Sequence, residues 1–150
     1  MKIIIGSDHA GYSYKKALIQ IIEKKEISYK DCGTNGPDSV DYPDYAHLVS
    51  SEVLKNSFNV GILICGSANG VAMAANKHKG IRAAVCWNKE IASLAVTHNN
   101  SNVLCIPARF ISTKCQEKIL DAFLGAKFEG GRHKRRVDKI NSQTNEKAKN

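Results

Sequence analysis

Val60-Gly-Ile-Leu-Ile-Cys65, continued by Gly66-Ser-Ala-Asn-Gly70, carries the clearest structural signal in the chain. Its first six residues hold no charge and no break. A strand with one face in water alternates apolar and polar positions, so an unbroken apolar run predicts a strand covered on both faces. The glycine-bounded turn leads into a short predicted helix, Val71–Lys77.

The same alternation extends in both directions. Upstream, Lys2–Gly6 reads as a strand and Gly11–Lys25 as a helix with Ala17, Leu18, Ile21 and Ile22 on one face. Ile27–Asp31 is a second strand, Cys32–Ser39 a loop, and Asp44–Asn56 a helix burying Ala46, Val49, Val53 and Leu54. Downstream, strands at Ile81–Cys86 and Asn102–Ile106 alternate with helices at Lys89–Thr97 and Thr113–Leu124. A basic helix is predicted over Arg132–Ile140. Strand–helix units repeated five times with short connections predict an α/β class: one doubly wound, Rossmann-like three-layer sandwich around a five-stranded parallel sheet. The expected division is one domain over 1–140, including the C-terminal helix, and a polar tail over 141–150. In such sheets ligands bind beyond the carboxyl ends of the strands, which directs attention to the loops.

With 150 residues, 43% apolar, the chain is long enough for one core, and its composition excludes wholesale disorder. Its longest apolar runs, Ile3–Ile5 and Ile62–Cys65, fall far short of the ~20 residues of a membrane helix or the core of a signal peptide. A cytoplasmic protein without a membrane partner is expected. Five cysteines lack any C-x-x-C spacing, which argues against a disulfide framework or a zinc cluster and predicts buried free thiols. The net charge of +8 concentrates at the end of the chain, where residues 127–150 carry eight Lys and Arg against three Asp and Glu. Arg132 and Arg136 lie four apart, on one helical face, as a phosphate clamp requires. No aromatic residue interleaves the 130–136 cluster, which weighs against nucleic acid.

Three loops hold reactive side chains. Gly6-Ser-Asp-His-Ala-Gly11 has the spacing of a phosphate loop but continues with Tyr12-Ser13, where such a loop needs Lys, so a nucleotide cradle has little support. Asp8 is also a natural helix cap. Cys65 ends the buried strand at a helix start, a position expected to favour thiolate, and the backbone of Gly66–Gly70 is suited to an oxyanion. A base beside amide donors fits proton abstraction next to a carbonyl. Thr97-His-Asn-Asn100 offers an imidazole, His98, with a helix C-cap as its structural reading. Asp41-Tyr-Pro43 suits a helix start, with the Tyr42 hydroxyl able to reach a cleft.

Together these motifs resemble the type B ribose-5-phosphate isomerases and the related galactose-6-phosphate and allose-6-phosphate isomerases. The resemblance spans Lys2 to Ile140. It rests on residues 6–11, Asp-Tyr-Pro-Asp-Tyr-Ala (41–46), Gly-Ile-Leu-Ile-Cys-Gly-Ser (61–67), Ala-Ala-Asn-Lys (74–77), Gly-Ile-Arg-Ala (80–83), residues 97–100 and Glu-Gly-Gly-Arg-His (129–133). It implies an aldose–ketose isomerase using neither metal nor cofactor, with proton transfer between C2 and C1 through a cis-enediolate. It implies Cys65 as base, the backbone from Ser67 through Ala68 and Asn69 to Gly70, beside Gly66, as anion hole, and His98 opening the sugar ring with Asp8 assisting. It further implies Asn99 and Tyr42 as hydroxyl contacts, and His9, Arg109, Arg132 and Arg136 on the phosphate. A homodimer is implied, with a tetramer compatible, in which the C-terminal arginines complete the neighbour's site. The turn departs from the family's usual Cys-Gly-Thr-Gly-x-Gly by Ser67 and Ala68, and Val71 stands where a cysteine-free subset carries glutamate.

Overall fold

The computed structural model describes residues 1–142. The expected tail over 141–150 lies outside the described residues from 143 onward. Five parallel strands form one sheet in the order β2-β1-β3-β5-β4: β1 (Lys2–Ser7), β2 (Tyr29–Asp31), β3 (Asn59–Cys65), β4 (Ala83–Val85) and β5 (Val103–Pro107). The helices are α1 (Tyr12–Lys24), α2 (Tyr42–Val53), α3 (Asn69–Ala75), α4 (Lys89–Thr97), α5 (Cys115–Gly125) and α6 (Arg132–Asp138). The doubly wound reading holds, and Lys89–Thr97 is reproduced residue for residue.

Handedness dictates which face each helix covers. A parallel crossover is right-handed, so reversing its direction along the sheet moves its helix to the other face. The steps β1 to β2 and β4 to β5 run one way, and β2 to β3 and β3 to β4 the other. Accordingly Leu18 and Ile22 of α1, Ala92 of α4 and Leu120 of α5 pack with Ile3, Ile5, Ile62, Ile64 and Ile106. Ala46 and Val49 of α2 and Val71 of α3 pack with Ile4, Leu63, Val103 and Cys105. Successive strand residues thus feed opposite cores, which is why β3 reads as continuously apolar.

The structure corrects several details. Helix α2 starts at Tyr42 with Pro43 in its first turn and ends at Val53, leaving Leu54 46% exposed rather than inward. Strands β2 and β4 are three residues each, because both are sheet edges with one ladder partner. Cys86 and Cys105 are core thiols, but Cys32 is half-buried and Cys115 exposed. Gly11, not Asp8, caps α1. A side chain at Gly11 would put its Cβ 2.4 Å from the Ile64 carbonyl oxygen, where the loop after β1 crosses the end of β3. Backbone cannot yield there as a rotamer does. Gly11→Ala should cost about 1–3 kcal/mol in urea unfolding, and an unchanged midpoint would refute the contact.

Candidate active site

The connections leaving β1 and β3 depart to opposite faces, so a crevice opens between their carboxyl ends. Asp8 follows β1 and Cys65 ends β3. Both are buried, and the Cys65 Sγ donates to Asp8 Oδ2 at 3.1 Å while the Gly11 N–H donates to Asp8 Oδ1 at 3.0 Å. Asp8 therefore closes the loop as a cap would and also presents its second oxygen to the thiol.

The expectation of a thiolate is corrected. Burial, reinforced by the Asp8 carboxylate, pushes the Cys65 thiol up to about 11, outweighing the Gly66 and Ala68 N–H groups that face the sulfur. The free chain thus holds a thiol at neutral pH. Asp8→Asn removes the negative charge and should shift the alkylation profile of Cys65 to lower pH, so that iodoacetamide labels it faster at pH 8. Peptide mapping distinguishes it from Cys32 and Cys115, and equal or slower labelling would contradict the assigned cause.

The turn after Cys65 is shaped by Ala68, which is fully buried in the left-handed region at φ 63° and ψ 0°. That conformation costs an alanine roughly 1 kcal/mol and aims its N–H back at the sulfur. The Asn69 N–H instead donates to Ser67 Oγ at 3.3 Å. Gly70 leaves room for the Tyr42 ring, which folds over the turn from the start of α2; a Cβ there would lie 2.4 Å from the ring and push it aside. Arg109, just beyond β5, lays its guanidinium against Gly66 and donates its backbone N–H to the Gly66 carbonyl at 3.0 Å. His9 accepts from the Val40 N–H through Nδ1 at 3.3 Å. Asp8, His9, Tyr42, Cys65, Gly66, Ser67, Ala68, Asn69, Gly70 and Arg109 are thereby gathered at one end of the sheet.

His98, Asn99, Arg132 and Arg136 are not. Thr97–Asn100 lies between α4 and β5, as expected, and because α4 runs back across the sheet these residues reach the amino end of β5. There the Asn102 carbonyl accepts from the Gly61 N–H at 2.8 Å, whereas Pro107 at the far end of β5 pairs with Cys65. The strand between, five residues long, separates the groups by about 16 Å. His98 caps α4, Asn100 takes the left-handed turn at φ 48°, and Ser101 N–H closes on the Ala95 carbonyl, so the structural reading of this loop also holds.

The sequence reading assigned no role to two residues of this second cluster. His133, in α6, stacks on His98 with ring centroids 4.2 Å apart and planes 10° apart. Glu129 Oε2 lies 3.4 Å from His133 Nε2 and 3.9 Å from His98 Nε2. Burial, together with neighbouring His98 and Arg132, holds His133 below the ordinary histidine value. The i,i+4 spacing of Glu129 and His133 within a quoted motif was the available signal. On the exposed side of α6, Arg132 and Arg136 share a face as expected.

A family model described as Ribose/Galactose Isomerase matches residues 3–140. The chain is 49% identical to a probable ribose-5-phosphate isomerase B of Mycoplasma genitalium over 140 residues, 92% of each chain. A ribose 5-phosphate isomerase structure from Thermotoga maritima superposes with a TM-score of 0.92 at 44% identity, covering 95% of this chain and 98% of that one. The Mycoplasma genitalium ribose-5-phosphate isomerase B, solved with bound ribulose-5-phosphate, superposes with a TM-score of 0.89 at 49% identity, covering 93% of both. With its thiol–carboxylate pair at the switch point of this sheet, the chain belongs to the ribose/galactose isomerase family.

Proposed function

We propose that this protein interconverts D-ribose 5-phosphate and D-ribulose 5-phosphate. The observation that carries the reading is the buried Cys65–Asp8 pair beside amide donors, in a chain 49% identical to a protein solved with ribulose-5-phosphate. His98 takes the proton of the anomeric hydroxyl and delivers it to the ring oxygen as the bond between C1 and the ring oxygen breaks, giving the open aldehyde. Cys65, as thiolate, takes the C2 proton, and the electron pair moves to the C1 oxygen as a cis-enediolate. The O2 proton passes to O1 and the carried proton returns at C1, leaving the ketone at C2. Since burial and Asp8 hold the free thiol neutral, the thiolate forms in the loaded site by passing its proton to Asp8 Oδ2, 3.1 Å away, and recovers that proton after turnover.

One chain holds only half of this machinery. His98, Asn99, Arg132 and Arg136 reach the crevice if a second copy docks the amino end of its β5 and its α6 there. Such a C2 homodimer contains two complete sites. Two guanidinium forks on α6 then take the phosphate, with His9 and Arg109 from the first copy. The basic charge serves one small dianion rather than a nucleic acid. No helix among the described residues is long and apolar enough to cross a membrane.

A proton-NMR assay on ribose 5-phosphate with EDTA present tests the reaction and the substrate, with turnover expected. Absence of turnover on ribose 5-phosphate alongside turnover of allose 6-phosphate would transfer the activity to a six-carbon phosphate. Inactivity on both, with steeply salt-dependent nucleic-acid binding, would overturn it.

A further inference from the structure

His98, Glu129 and His133 come from three segments: the end of α4, the α5–α6 connector and α6. Their ligand atoms all lie within 4.8 Å of one another. The cluster is built rather than fortuitous. The Glu129 N–H donates to the Thr97 carbonyl at 3.0 Å, tying the connector to the end of α4, and the His133 N–H donates to Gly130 at 3.0 Å. His133 is buried and fixed, whereas His98 and Glu129 are 39% and 57% exposed and free to adjust. Two imidazoles and one carboxylate with an open side are the donor set of an open tetrahedral zinc site, with water in the fourth position. Two nitrogen donors favour a zinc-class ion over magnesium or calcium.

We propose that His98, Glu129 and His133 bind a divalent cation of the zinc class, and that its occupation silences His98. Binding requires the two rings to splay from parallel, a rotation about χ2, whose preference is broad. An ion on His98 Nε2 occupies the lone pair through which that ring would exchange a proton. Arg132 and Arg136 repel the ion, which suits a reversible inhibitor better than a resident structural metal. The silencing rests on the ring-opening role proposed above for His98; the binding does not.

The test is cobalt titration of the EDTA-treated full chain, read by visible absorption, with zinc as competitor. Turnover of ribose 5-phosphate is followed in parallel. One cobalt per chain, with the intense absorption of a tetrahedral site and displaced by zinc, is expected. Glu129→Gln, at an exposed position, and His133→Gln should each weaken binding at least about tenfold and relieve zinc inhibition equally. Thiolate-to-cobalt absorption in the near ultraviolet, or binding unchanged in both variants, would overturn the site by placing the ion at a cysteine or at a second histidine pair, His47 Nδ1 and His78 Nε2, which lie 2.7 Å apart. Variant-sensitive binding without inhibition would uphold the metal site and overturn its silencing of His98.

Discussion

Cys65→Ala should lower turnover of ribose 5-phosphate by about 10²–10⁴-fold, the usual effect of losing a general base, while substrate still binds. The Gly11 N–H remains on Asp8 Oδ1, so the loop after β1 keeps its anchor when the thiol is gone. The turn is held separately, by the Gly66 carbonyl accepting from Arg109 and by the Tyr42 ring over Gly70. Exchange of the C2 proton with solvent, followed in D2O, should disappear together with turnover. Cys65→Ser separates chemistry from packing, since it restores a donor to Asp8 but offers a far weaker acid. It should be nearly as inactive as the alanine variant. Turnover close to that of the unmodified protein in either variant would remove Cys65 as the base.

Asp31→Ala should destabilise the protein by about 3 kcal/mol without touching the crevice. Lys15, one turn into α1, is 1% exposed, and its ammonium meets Asp31 Oδ1 at 2.6 Å. Removing one partner of a buried pair typically costs about 3–5 kcal/mol, because the remaining charge has no compensation. Asp31 is itself one-third exposed, so water reaches part of the site and the lower end applies. The same carboxylate oxygen also accepts from the Gly33 N–H at 2.9 Å, which couples the end of β2 to the helix. At roughly 2–4 °C per kcal/mol for a domain of this size, the melting point falls about 6–12 °C. Lys15→Met combined with Asp31→Ala should recover most of that loss. A loss under about 1 kcal/mol for Asp31→Ala alone would mean that Lys15 escapes to water.

The layer order was legible because β3 is apolar at every position, and because Leu18 and Ile22 repeat with helical spacing. Short edges were less legible. Ile27, Ser28 and Ile81 are extended-looking residues outside the ladder, and only the neighbouring strand decides where pairing stops. The thiol was found at its strand end, but its ionisation was misread, since the sequence places glycines beside Cys65 and gives no sign that Asp8, fifty-seven residues earlier, supplies its nearest charge. His98 was legible as a residue and as part of the connection from α4 to β5, but its distance from Cys65 was not. Its loop precedes a strand rather than following one, and chain direction, not residue type, decides which end of the sheet receives it. His133 was hidden by its neighbours, four basic residues that read as solvated charge.

That separation of Cys65 from His98 makes subunit mixing the most direct test. Cys65→Ala and His98→Asn should each be inactive alone. Unfolded and refolded together in equal amounts, half of the dimers become mixed and one of their two sites is complete, so activity should return to about one quarter of the unmodified level. Activity that stays at the level of the separate variants, with mixed dimers shown to have formed, would contradict a site assembled from two chains.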